Sequence, residues 1–315
     1  MVKEVRVIDL NESSPLVSVI IPTYNRAWLL SKAVESVLNQ SYQNFEVIII
    51  DDCSEDDTKN LVKKFKDRRI RYIRHRKRKG AAAARNTGIK AAKGNYIAFQ
   101  DSDDYWHPKK LEKQMRTFLN APHDLGVVYT SFWRIDGNKK VYYPRPHIKP
   151  KEGYLHEVLL KTNFIGLSTA VVKRKCFEKA GVFDEDLPRQ QDWDLWLRIS
   201  KYYCFKHIDE PLVTSYLHHD SISRNINAYT IAMKHILKKY FEEISKKPTL
   251  LGKYYFEIGA SLCLSGKIEE GKLYFFKAIR TNPLNLKLWF SIFFSFLGKE
   301  AYNKVAKIYL RIKNI

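Results

Sequence analysis

Three carboxylates, Asp101, Asp103 and Asp104, fall within four positions at the end of the short apolar run Tyr96-Ile97-Ala98-Phe99. Clustered carboxylates repel one another unless a cation sits among them. A hard divalent cation, held by carboxylate oxygens and by the phosphates of a ligand, meets that need. The same residues also suit a solvated acidic turn that caps a helix, since Pro108 and the helix-like stretch Lys109–Asn120 follow. Two more polar clusters close apolar runs: Pro22-Thr23-Tyr24-Asn25 after Leu16–Ile21, and Asp51-Asp52 after Phe45–Ile50.

The elements that would position these clusters alternate in type. The runs Leu16–Ile21, Phe45–Ile50 and Tyr96–Phe99 are short, apolar and rich in β-formers, so they read as buried strands, and Ile70–Ile73 reads as a short third strand. Between them, Trp28, Leu29, Ala33, Val34, Val37 and Leu38 recur at helical spacing. Ser54-x-x-Asp57 has the form of a capping box before a helix over Asp57–Phe65. Gly80 opens a small-residue helix that runs to Ala92. Strands alternating with helices predict a mostly parallel open α/β sheet flanked by helices. Ligands of such sheets bind beyond the carboxyl ends of the strands, where all three polar clusters lie.

Composition narrows the partners. The chain has 315 residues, 55 Lys and Arg against 34 acids, and a formal net charge of +21. That balance favours anionic partners such as nucleotide phosphates, nucleic acid or an acidic membrane surface. Twelve of the cations fall between Lys59 and Lys79, a run that also reads as a solvated face. The four cysteines are scattered without a C-x-x-C pair, which argues against structural zinc and disulfides and for reduced, cytoplasmic thiols. Met1–Asn11 carries charges throughout and reads as no signal peptide, and no run approaches the roughly 18 apolar residues of a spanning helix.

The rest of the chain is mixed and then helical. Residues 1–15 read as a loose arm. Gly126–Trp133, Leu167–Val172 and Leu212–Leu217 read as strands, and Asp136–Pro150 as a hairpin turn and loop. Trp193, Trp196, Leu197 and Ser200 share one helical face, with Asp192 in the first turn. From residue 225 to 315 helical signals dominate, and Lys253–Leu284 has the spacing of one tetratricopeptide-like helix pair. The final stretch, Leu286–Ile315, mixes aromatic and basic residues and suits either a core helix or a helix on an anionic membrane face.

Taken together, these pieces resemble the family 2 glycosyltransferases, which have the GT-A fold. The resemblance covers about two-thirds of the chain and rests on eight segments in the family's order. They are Val17–Asn25, Val47–Asp52 with Ser54, Ala84-Arg85-Asn86-Thr87-Gly88, Asp101-Ser102-Asp103-Asp104, Ser168-Thr169, Gly181–Asp184, Asp192–Arg198 and His218–Ser223. It implies a GT-A domain over residues 16–224, with a nucleotide-sugar half to about 105 and an acceptor half after it, followed by a helical C-terminal region.

The resemblance also implies roles. Pro22, Thr23, Tyr24, Asn25, Asp52, Arg85, Asp101 and Ser102 line the nucleotide-sugar site, with Thr23 and Asp52 on the base and ribose. Asp101, Asp103 and Asp104 share the metal, Mn2+ or Mg2+, in a division that differs among members. His218 lies near a histidine that approaches the diphosphate, and His219 is an alternative. Asp192 matches the catalytic base. Some positions depart from the family's pattern: Gln191 stands where Glu is common, and the Arg of the family's Tyr-Arg-x-His element is absent from Tyr216-Leu217-His218-His219. The Gln-x-x-Arg-Trp element of processive synthases is missing, so one sugar per event is expected.

The implied enzyme is an inverting, metal-dependent, non-processive glycosyltransferase. It would use a nucleotide-diphospho-sugar, UDP-linked by preference, and a glycan or lipid-linked acceptor in cell-surface assembly, in the cytoplasm or at the inner face of the membrane. No specific nucleic-acid partner is expected. The rival readings are a basic scaffold and an inactive glycosyltransferase-like protein that binds anionic partners. A sugar-nucleotidyltransferase would need a Gly-rich loop after the first strand, where Pro22-Thr23-Tyr24-Asn25 stands instead.

Overall fold

The computed structural model describes residues 14–219, 221–281, 283, 289–290 and 292–294. Residues 1–13 of the arm expected over 1–15, and most of the final segment expected over 286–315, lie outside the described residues, as does Asp220. The chain divides into two units, residues 1–183 with 195–216, and residues 184–194 with 217–315.

The first unit opens with β1 (Val17–Thr23), α1 (Ala27–Leu38), β2 (Phe45–Asp51), α2 (Thr58–Lys64), β3 (Ile70–Arg74), α3 (Ala81–Ala91) and β4 (Tyr96–Phe99). It continues with β5 (Tyr105–Trp106), α4 (Lys110–Leu119), β6 (Leu125–Asp136), β7 (Lys139–Tyr143), α5 (His156–Leu159), β8 (Ala170–Lys173) and α6 (Lys175–Ala180). Helix α7 (Gln191–Ile199) contains the boundary between the units, and β9 (Cys204–Tyr216) closes the first. The strands form one sheet in the order β3-β2-β1-β4-β8-β6-β9-β5, with β7 beside β6. The β3-β2-β1-β4 half is parallel, as the sequence pattern predicts. In the other half β4–β8, β6–β8, β6–β7 and β5–β9 are antiparallel, and β6–β9 is parallel.

Strands β1 and β2 are buried along their whole length, which explains their unbroken apolar runs. Alternate residues serve opposite faces. Val17, Val19 and Ile21 pack with Leu30, Val34 and Val37 of α1, Val62 of α2, and Leu111, Met115 and Phe118 of α4. Ile20 points the other way, toward α3. A Cβ on Gly88 would lie 2.4 Å from Ile20 Cγ2, so glycine is required for α3 to lie this close.

Some local expectations are corrected. Trp28 does not join the buried face of α1 but is 69% exposed. It lies in the first turn of α1, ahead of the buried series that starts at Leu30. The capping box at Ser54-x-x-Asp57 does not form. Ser54 Oγ instead accepts from the Asn25 amide at 2.9 Å, and Asp56 accepts from the Thr58 amide at 3.1 Å. Leu167–Thr169 is a single helical turn leading into β8, and β9 begins eight residues before the expected Leu212 because polar residues interrupt its apolar pattern.

The second unit contains α8 (Ile226–Lys239), α9 (Phe241–Ser245), α10 (Pro248–Leu264) and α11 (Ile268–Thr281). The expected repeat-like pair corresponds to α10 and α11. They meet where Gly259 faces Phe275 and Gly271 faces Cys263, contacts too tight for any larger residue at either glycine.

Candidate nucleotide-sugar site

The carboxyl ends of β1, β2 and β4 bring Thr23, Asp52 and Asp101 to one edge, since Thr23 pairs with Asp51 and Ile20 with Phe99 in register. Pro22 is tolerated inside β1 because β4 pairs only as far as Ile20 on that side. Asn25, at φ +50°, turns the chain, and its Oδ1 accepts from the Glu55 amide at 2.8 Å. The loops after β1 and β2 are therefore stitched together. Tyr24 lies under the Arg78 guanidinium, 4.2 Å from ring centroid to carbon.

Asp52 is buried and fully engaged. Its Oδ1 accepts from the Lys79 amide at 2.8 Å and faces His75 Nδ1 at 2.7 Å, while Oδ2 accepts from the Gly80 amide at 2.7 Å. His75 Nε2 faces Thr87 Oγ1 at 2.9 Å. One carboxylate thus fixes the loop between β3 and α3, including the four exposed cations Arg76–Lys79. His75 was not singled out from the sequence. Its only local signal is a lone histidine within a run of Arg and Lys.

The acidic turn is held by arginines. Arg85 Nη2 lies 2.8 Å from Asp101 Oδ1, and Arg26 Nη1 lies 2.6 Å from Asp103 Oδ2. The cation that clustered carboxylates demand is therefore supplied in part by the protein itself. Arg26 is the second residue that sequence reasoning missed, although it adjoins Asn25. Asn86, next to Arg85, grips the backbone of Phe183 in both directions, at 2.9 Å each. Ser102 is buried in the turn. Asp104 is set apart from its two neighbours: its carboxyl is buried, near Ser168 and Ser215. Burial first, and the charges of Asp101 and Asp103 second, raise its pKa well above the usual carboxylate range. Ser168 Oγ also accepts from the Asp101 amide at 3.2 Å, and its carbonyl accepts from Trp106 Nε1 at 2.9 Å.

Two buried polar atoms at this edge, Thr23 Oγ1 and Gln100 Oε1, have no hydrogen-bond partner among the described residues. Orphans of this kind are costly unless a ligand bonds them. Among the described residues no group of three or more His, Cys, Asp or Glu is arranged to hold a metal ion. The donors present nevertheless fit Mn2+ or Mg2+. Such ions are held by one or two carboxylates together with substrate phosphates rather than by an all-protein cage, and Asp101 and Asp103 are hard oxygen donors at the ligand edge.

In the second unit, Asp192 lies half-buried in the first turn of α7, where its Oδ1 accepts from the Trp193 amide at 2.9 Å. Gln191 Nε2 donates to the Leu187 carbonyl at 2.7 Å. The other acid of the segment, Asp194, is wholly buried and clamped by Lys239 Nζ at 2.7 Å and Tyr240 OH at 3.0 Å. The pair thus divides into a packing acid and a half-exposed one. His218 sits in a turn whose backbone is tied to Ser221 Oγ and Arg224 Nε, each at 3.0 Å.

The family model for glycosyl transferase family 2 matches residues 18–181. The chain belongs to that family. It is 32% identical over 76% of its length to an Escherichia coli protein described as a UDP-Glc:alpha-D-GlcNAc-diphosphoundecaprenol beta-1,3-glucosyltransferase, covering 86% of that protein. It spans much less of other relatives it matches, 34% and 40% of two uncharacterised glycosyltransferases. The fold is that of Staphylococcus aureus TarS 1–349, solved with UDP-GlcNAc, at TM-score 0.65 and 20% identity over 94% of this chain and 91% of that one. It is also similar to a mannosyltransferase of Pyrobaculum calidifontis, solved with GDP-Man and Mn2+, at TM-score 0.55 and 23% identity over 85% and 74% of the two chains. These likenesses give a GT-A fold. Among the described residues, no helix is long and apolar enough to cross a membrane.

Proposed function

We propose that this family 2 member moves one sugar per event from a nucleotide-diphospho-sugar, UDP-linked by preference, to an acceptor hydroxyl. The acceptor is a glycan or a lipid-linked glycan in cell-surface polysaccharide or glycolipid assembly. The observation that carries the reading is the edge where Asp101 and Asp103, each against an arginine, share the strand ends with the orphaned hydroxyl of Thr23. The Escherichia coli relative, whose name specifies a UDP-sugar and a diphospholipid-linked acceptor, supports the substrate class.

In this reading Thr23 bonds the nucleoside and Asp52 acts through the loop it holds. Arg26 and Arg85 balance the carboxylates when the site is empty and offset phosphate charge when it is filled. Asp101 and Asp103 would hold Mn2+ or Mg2+, which as a Lewis acid neutralises charge on the leaving diphosphate. Asp104, buried behind the turn, positions it. His218 is assigned a secondary contact with the diphosphate. Asp192 takes the proton of the acceptor hydroxyl as its oxygen bonds the anomeric carbon. The carbon–oxygen bond to the diphosphate breaks, its electron pair leaves with the nucleotide, and one displacement inverts the centre.

Calorimetric titration with UDP, GDP and dTDP, each with and without Mn2+, tests this. Metal-strengthened binding of one nucleotide is expected, and no binding of any of them would overturn the reading.

A further inference from the structure

The segment Lys59–Lys79 holds twelve Lys and Arg and a single acid, Asp67. The fold lays it along one margin: the chain passes along α2, turns, and returns as β3, the terminal strand of the sheet. Ten of the twelve cations are exposed. The other two, Arg69 and Arg71, are paired with Asp67 and Glu46. Lys63, Lys64 and Lys66 form no ion pair among the described residues, and Arg76–Lys79 continue the charge at the carboxyl end of β3.

Protection of an edge strand needs a few charges on the strand itself, which Arg71 and Arg74 provide. It does not call for Lys63, Lys64, Lys66 and Arg68, which lie in the last turn of α2 and the turn beyond. Like charges packed within a Debye length repel and lower stability, so such a strip implies an anionic partner. Single-stranded nucleic acid would want open aromatic faces among the cations. Here Tyr72 gives its hydroxyl to Asp51, Arg78 covers the ring of Tyr24, and Phe65 packs against the core. An exposed aromatic, Trp28, lies in the first turn of α1, whose Ala27 amide donates to Asp56 just before α2, and Trp with Lys and Arg is the composition of a membrane-interface anchor.

We infer that the β3 margin docks on an anionic lipid bilayer. Headgroup phosphates meet Lys63, Lys64, Lys66 and Arg68 and the Arg76–Lys79 loop, with Trp28 at the interface. The choice of a bilayer rests on the lipid-linked acceptor proposed above, but the docking is measurable with neither donor nor acceptor. A failure here leaves sugar transfer standing, and a protein that binds vesicles but no nucleotide would lose only that proposal.

The test is co-sedimentation of the full chain with phosphatidylcholine vesicles, with and without phosphatidylglycerol, at low and high salt. The comparison is a variant carrying Lys63→Gln, Lys64→Gln, Lys66→Gln and Arg68→Gln. These four side chains lie at the amino end of β3, away from the carboxylate edge, so the variant should keep its thermal midpoint and its nucleotide affinity. The wild type should bind only the anionic vesicles, less at high salt, and the variant should lose roughly a thousandfold in partitioning. Equal partitioning of a folded variant would overturn the inference. So would a wild type that binds an RNA homopolymer but not phosphatidylglycerol vesicles.

Discussion

Replacing Thr23 with valine should make the free protein more stable and its nucleotide complex weaker. The Thr23 side chain ends β1 at 4% exposure, and its Oγ1 has no partner among the described residues. A buried, unsatisfied hydroxyl costs about 1–3 kcal/mol. Valine keeps the β-branch and nearly the volume, so strand packing should be retained while that cost disappears. At about 2–4 °C per kcal/mol for a unit of this size, the unfolding midpoint should rise by roughly 2–12 °C. A nucleotide that bonds the hydroxyl gains a net of about 0.5–1.5 kcal/mol from it, so its affinity should fall roughly two- to tenfold. Thermal unfolding with and without nucleotide, together with calorimetry, reads both signs. A variant less stable than wild type would show that the hydroxyl is satisfied in the free protein. Unchanged affinity would remove Thr23 from the nucleotide site.

Other substitutions separate the remaining roles. Asp192→Asn should reduce transfer by about 10²- to 10⁴-fold with donor affinity unchanged, and substantial residual turnover would exclude Asp192 as the base. Asp103→Asn should abolish the gain in nucleotide affinity produced by Mn2+, whereas an intact gain would place the ion elsewhere. Asp104→Asn tests the buried carboxyl. Its raised pKa makes a contribution to stability that is complete below the unfolded pKa and lost as pH rises through the folded one. The Asn variant should therefore gain on the wild type as pH rises through that window, and a difference independent of pH would show that Asp104 is not held protonated.

Much of the scaffold is legible locally. Buried parallel strands need continuous apolar runs, and β1, β2 and β4 stop at polar clusters because the chain leaves the core there. The antiparallel half is harder to read. The polar stretch at the start of β9 conceals its first eight residues, which are held by pairing with β6 rather than by their own pattern. The capping box failed for a similar reason. The Ser54 hydroxyl had a better partner, the Asn25 amide, which lies 29 positions away and is near only in the folded chain.

The candidate site divides along the same line. Sequence alone identifies the acids Asp52, Asp101, Asp103, Asp104 and Asp192, because residue type and order are properties of the chain. It also determines the surplus of positive charge. Which acid does what depends on tertiary structure, since a carboxylate's state is set by its neighbours. Asp52 is consumed by His75 and two amides, Asp104 is buried against serines, and Asp194 is locked by a lysine. Arg26 and Asp103 are 77 residues apart, and only the sheet's crossovers bring that pair to 2.6 Å.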